Sequence, residues 1–166
     1  MREMRRIRQQ MSEENNKVVL DRCTHGMMGV MGMDGYPYTV PVSFVYYEGS
    51  IYFHCAKEGH KIDAIRACDK VSFTVVDSDE IKEKEYTTYF RSVMVFGCAS
   101  TVEDEQEKRD ALMAIARKYS PSMGEDSHKA VIARSGKNAC VVKITPERIT
   151  GKEAIEYVQV KEAGEI

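Results

Sequence analysis

Ser50-Ile51-Tyr52-Phe53-His54-Cys55-Ala56, followed after Lys57-Glu58 by Gly59-His60-Lys61-Ile62-Asp63, reads as a strand that ends at a glycine and passes into a helix. β-Branched and aromatic residues fill the strand, and Gly59 lets the backbone turn with no Cβ in the way. The predicted helix opens on a basic pair, His60-Lys61. Free N–H groups at a helix start favour an anion by up to about 2 kcal/mol in a partly buried geometry, and a lysine adds a full charge. The stretch therefore predicts a phosphate pocket, against the plain alternative of a surface lysine near a helix start.

Upstream, a helix is expected over about 12–23 with Ser12 as N-cap. A first strand over 26–33 then meets Asp34-Gly35, a dipeptide suited to a tight hairpin because both positions tolerate positive φ. A second strand is expected over 38–47, and Glu48-Gly49 turns it into the third, so the chain begins as a meander. Downstream, a short helix over 60–68 leads to a fourth strand over 70–76 and a polar, aperiodic stretch, 77–89, read as a loop that carries contacts to a partner subunit. The fifth strand is expected over 91–102, with Gly97-Cys98-Ala99-Ser100 permitting a bend or a close backbone approach. Leu112, Ile115, Ala116 and Tyr119 recur at helical spacing over 104–119, a second short helix is expected over 127–134, and a sixth strand over 139–145 stops at Pro146. The segment 148–157 gives mixed signals. Strands predominate and the early hairpins force antiparallel pairing, so a small closed or split β-barrel decorated with helices fits best.

A chain of 166 residues makes one domain, 1–166, able to bury roughly 70% of its unfolded surface, with 1–11 as a basic N-terminal arm. A net charge of -2 argues against a nucleic-acid partner, and no stretch approaches the roughly 18 apolar residues that span a bilayer. No apolar run of signal-peptide length follows the basic start. The five cysteines, Cys23, Cys55, Cys68, Cys98 and Cys140, are odd in number and widely spaced, as expected of reduced thiols in a cytoplasmic protein. Cys23 with His25, and His54 with Cys55, lack the paired spacing of a structural zinc site, so no metal is expected.

Three segments in register carry a resemblance: Asp34-Gly35-Tyr36-Pro37-Tyr38-Thr39-Val40-Pro41-Val42, Ile51 through Lys61, and Phe90-Arg91-Ser92-Val93-Met94-Val95-Phe96-Gly97. Over about 4–155 the chain resembles the nitroimidazole-resistance branch of the pyridoxamine 5′-phosphate oxidase-like flavin-binding split barrels. The resemblance implies a mainly β fold with helices (α+β), a six-stranded antiparallel split β-barrel of the FMN-binding type. It also implies a homodimer with each FMN in a groove between two barrels. His60 and Lys61 match the basic pair that holds the flavin phosphate, with Lys57 nearby, although the parent oxidases carry arginine where His60 stands. Val40, Pro41 and Val42 match the strand along the flavin ring, His54 and Cys55 match residues at the ring and ribityl-phosphate side, and Arg91 and Ser92 match a cofactor-contacting pair on the fifth strand. The basic substrate-gripping residues of the true oxidases are not recognisable near the C-terminus, which makes pyridoxamine phosphate a poor substrate.

A flavin brings its own redox chemistry, so the protein need only hold it, tune it and expose one face to a small-molecule substrate. No Ser-His-Asp set, paired-carboxylate signature or dinucleotide glycine fingerprint stands out. His54 is the one candidate proton donor, weighed against a strand histidine merely hydrogen-bonded in place. Cys55 reads as a small apolar filler before a reactive thiol, and Met27, Met28, Met31 and Met33 read as core before pocket wall. Tyr36 or Tyr38 could stack on a flat ligand. The resulting expectation is an FMN-dependent reductase of small aromatic or nitro compounds, with a dioxygen-using flavin oxidase and a non-enzymatic flavin- or haem-binding barrel as alternatives.

Overall fold

The computed structural model describes residues 3–163; Met1 and Arg2 of the expected arm lie outside them. Ser12 caps the first helix, α1 (Glu13–Arg22), its hydroxyl accepting from the Asn15 N–H at 3.2 Å. Strands β1 (His25–Met31) and β2 (Pro37–Ser43) form the first hairpin. Its turn is closed by Gly32 N–H on the Tyr36 carbonyl at 2.8 Å, with Gly35 at φ 85°. The rest follow as β3 (Val45–Tyr47), β4 (Ser50–Cys55), α2 (His60–Ala67), β5 (Lys70–Lys82), β6 (Thr87–Thr101), α3 (Glu105–Tyr119), α4 (Glu125–Ser135), β7 (Cys140–Glu153) and α5 (Ile155–Glu162). All pairings are antiparallel, in the order β2-β1-β5-β6-β7-β4-β3.

The sheet has seven strands, one more than expected, because the expected second strand changes partner at Phe44. β2 pairs with β1, and β3 pairs with β4. Between them Phe44 is fully buried, and its N–H donates to the Tyr119 hydroxyl at 2.8 Å, which satisfies a backbone group that has left the ladder. The sheet thereby curls until β2 lies against β4 without ladder hydrogen bonds, and this is the split of the barrel.

Two further corrections concern length. Residues 77–89 are not a loop: β5 and β6 stay paired through Asp79↔Phe90, Glu80↔Tyr89 and Lys82↔Thr87, turning through Tyr86 at φ 51°. None of residues 77–89 is buried in the core, so strict apolar alternation is not required there, and the strand signal fades from the sequence. Nor does the last strand stop at Pro146. β7 runs on to Glu153, because the ladder slips by one residue between Phe96 and Gly97, leaving the proline at a bulge where its missing N–H is tolerated. Gly97 is required there, since a Cβ on it would run into the Thr145 carbonyl. The open segment 148–157 resolves into the end of β7 and the start of α5.

Inward-facing side chains, among them Met28, Phe44, Phe53, Phe73, Val95 and Ile144, form one core beneath α1 and α2, while Val45, Tyr52, Ala111 and Ile115 make a second cluster under α3. The opposite face of the sheet is open. Cross-strand register places Pro41, Met27, Thr74, Met94 and Thr150 in a single row across it. Met27, Met31, Met94 and Val76 are 41%, 50%, 42% and 59% exposed on the outer side of their strands. Of the four clustered methionines only Met28 enters the core, because alternation along β1 turns Met27 and Met31 outward and Met33 lies in the turn. Among the described residues no helix is long and apolar enough to cross a membrane.

Candidate functional site

Gly59 stands at φ 129°, a conformation open to glycine, and starts α2 with no side-chain cap. Its carbonyl accepts from the N–H groups of Ile62 (2.9 Å) and Asp63 (3.1 Å), while those of His60 and Lys61 have no acceptor among the described residues. These two amides, with the Lys61 ammonium beside them, make the anion-favouring end that the sequence pointed to. The His60 ring meets Tyr38 of β2 edge to face, centroids 4.5 Å apart. Its Nε2 also crowds the space a Cβ on Gly32 would occupy. The start of α2 is thus pinned to the turn end of the β1–β2 hairpin across the split.

From Tyr38, β2 leads directly to Val40, Pro41 and Val42. Only Pro41 faces outward; Val42 is buried, and Val40 packs against the core. β2 has a single ladder neighbour, so its other edge leaves backbone groups free to meet a ligand. Ser92 lies on the open face in the cross-strand row Val76–Ser92–Lys152, next to the row that holds Pro41. Lys57 is exposed in the turn before α2.

The structure brings His60, Lys61, Tyr38 and β2 together, but Arg91 is engaged elsewhere. Its Nε donates to Glu153 at 3.3 Å, and its guanidinium sits 4.3 Å over the Tyr157 ring. Glu153 is only 4% exposed and also receives Lys161 at 2.6 Å. A buried carboxylate held by two cations fastens α5 to the end of β7. No sequence signal marked this cluster, because its partners lie on separate elements.

His54 is held in the β4–β7 ladder opposite Val141, but its side chain is exposed and hydrogen-bonds to none of the described residues, unlike the side-chain-bonded strand histidine that was the plainer reading. Cys55 is half-buried at the core margin, opposite Cys140. Burial, with Cys140 beside it, pushes the Cys55 thiol up to about 11, while the Lys61 charge acts the other way. Lys61 is therefore near enough to feel charge at Cys55. Among the described residues no group of three or more His, Cys, Asp or Glu side chains could hold a metal ion.

A profile of the pyridoxamine 5′-phosphate oxidase family matches residues 12–153, and the chain belongs to that family. No curated protein matches. Among solved structures, a candidate 5-nitroimidazole antibiotic resistance protein from Bacteroides thetaiotaomicron is 26% identical, with 87% of this chain and 86% of that one covered and a TM-score of 0.72. A conserved hypothetical protein from Mycobacterium tuberculosis is 20% identical over 91% of this chain and 90% of that one, with a TM-score of 0.78. An FAD-binding protein from Mesorhizobium loti is 24% identical over 87% and 96%, with a TM-score of 0.63. The last two show the fold alone.

Proposed function

We propose that this chain is a cytoplasmic, FMN-dependent reductase of small aromatic or nitro compounds, working as a homodimer with the flavin shared between protomers. The observation that carries this reading is the uncapped α2 start, with His60 and Lys61 set against Tyr38 at the split. Membership of the family supports a flavin ligand, and likeness to the Bacteroides protein supports the nitro-compound branch. When bound, the flavin supplies two-electron chemistry. The chain's residues hold and orient it: amides and Lys61 at the phosphate, the free edge of β2 along the ring, and Ser92 as a polar contact. His54, exposed beside Cys55, is the residue available to deliver a proton.

FMN is proposed over FAD although a structural relative binds FAD. A pocket made from a helix start and a lysine suits a terminal phosphate dianion, whereas an adenosine extension would have to leave through the same pocket. Heat release and chromatography of the cofactor from purified protein should yield FMN. Recovery of FAD, or no flavin after reconstitution, would count against the assignment.

Dimerisation is supported by the open sheet face, where outward Met27, Met31, Met94 and Val76 form an apolar surface of the kind that marks an interface. A ligand that binds only the dimer stabilises it by about 2.7 kcal/mol when free FMN exceeds its dissociation constant a hundredfold. Sedimentation at matched low protein concentration should therefore show more dimer with FMN than without. A monomer retaining stoichiometric FMN would exclude the shared site.

A further inference from the structure

We propose that Cys55 and Cys140 are an oxidation site, closing to a cross-strand disulfide when the protein meets a peroxide. The two residues are direct partners in the antiparallel β4–β7 ladder, Cys55 ending one strand and Cys140 starting the other. Directly opposed residues in such a ladder have Cα atoms about 4.5 to 5.5 Å apart, inside the roughly 4.4 to 6.8 Å that a disulfide spans. Their thiols lie close enough for Cys140 to act on the ionisation of Cys55, and both are half-buried at the margin of the main core. A small oxidant can therefore reach a pair of thiols already facing each other.

The other three cysteines have different surroundings. Cys23 closes α1 with its thiol toward the Val76 carbonyl at 3.9 Å, Cys68 closes α2, and Cys98 lies between Lys70 (3.3 Å) and Glu147 (3.5 Å). No ladder register sets any of them opposite a cysteine.

The chemistry balances with hydrogen peroxide as oxidant. One thiolate attacks the O–O bond, forming a sulfenic acid and releasing hydroxide, which is protonated to water. The second thiolate attacks the sulfenic sulfur, forming S–S and expelling a second water. Two thiols are oxidised and one peroxide is reduced to two waters. In either order Cys55 must act once as thiolate. The groups facing it are Cys140 from β7, which with burial opposes the charge, and Lys61 from α2, which favours it. Its thiol lies at about 11, so closure should be slow near neutrality and quicken with pH. The bond would tie β4 to β7 where the chain leaves for the α2 turn, and the proposal does not depend on flavin binding.

The test exposes the reduced, full-length protein to hydrogen peroxide, traps remaining thiols with N-ethylmaleimide and maps peptides by mass. The expected result is one linked peptide pair holding Cys55 and Cys140, formed faster near about pH 9 than about pH 7. The pair should form unchanged in a C23S/C68S/C98S variant and be absent from Cys140→Ser. Full alkylation of both cysteines after treatment, a bond from Cys55 to another cysteine, or Cys55 carried to sulfinic acid without a partner would overturn the proposal.

Discussion

Phe73→Ala should lower the unfolding free energy by about 3 to 5 kcal/mol, the range for removing a buried phenyl ring from a packed core. Phe73 is fully buried on β5, and its ring meets that of Phe44 edge to face, centroids 4.8 Å apart. It also covers Gly26 of β1, where an added Cβ would strike the ring. One side chain thus joins the β5 core, the β1 strand and the corner at which β2 and β3 part. Urea unfolding followed by circular dichroism checks the value, and a loss below about 1 kcal/mol would mean that the core is not centred here. The contact with Gly26 adds a sharper expectation. Gly26→Ala should be damaging in the native background and much less so beside Phe73→Ala, because the vacated ring space accepts the new methyl group. A double-mutant cycle should therefore return a coupling of about 1 kcal/mol or more.

That corner also shows why the fold was only partly legible. The first hairpin, the β4–Gly59–α2 passage and the amphipathic α3 each announce themselves through local chemistry: Asp34-Gly35 for a turn, a glycine at φ 129°, apolar residues at helical spacing. Partner exchange at Phe44 leaves no such mark, because a strand that changes neighbours keeps the same alternation on either side. Residues 77–89 concealed a ribbon for the opposite reason, since none of them is buried in the core and no apolar alternation is needed. Pro146 signalled a strand end by the ordinary rule, and only the bulge opposite Gly97, a residue far away in the chain, lets β7 continue.

The site divides along the same line. The start of α2 and the basic pair His60-Lys61 at it were readable because they are contiguous. The edge-to-face contact of His60 with Tyr38 and the pairing of Cys55 with Cys140 join residues far apart in the chain, and no spacing encodes them. Arg91 was matched by its position on the fifth strand, yet its charge is directed at Glu153 and Tyr157. That commitment is invisible until β7 is known to reach residue 153 and α5 to fold back beside it.

Lys61→Ala should weaken FMN binding by about ten- to a hundredfold while leaving the fold intact, the effect of losing one charge-assisted contact worth roughly 1.5 to 3 kcal/mol. Lys61 is half-buried at the α2 start, where its charge acts on Cys55, so a phosphate bound at the neighbouring amides would be less screened from it than from a fully exposed lysine. Lys57 is exposed in the preceding turn, and Lys57→Ala should cost less. Fluorescence titration of the two variants with FMN separates the cases, and equal affinities would mean that the phosphate lies elsewhere. A second readout needs no flavin. Lys61 favours the Cys55 thiolate, so its removal should raise that thiol further above its ordinary value and slow Cys55 alkylation at a fixed alkaline pH. If alkylation slows but FMN affinity holds, Lys61 occupies the place described and the flavin phosphate does not. If both change together, the lysine that tunes the thiol is the one that grips the cofactor.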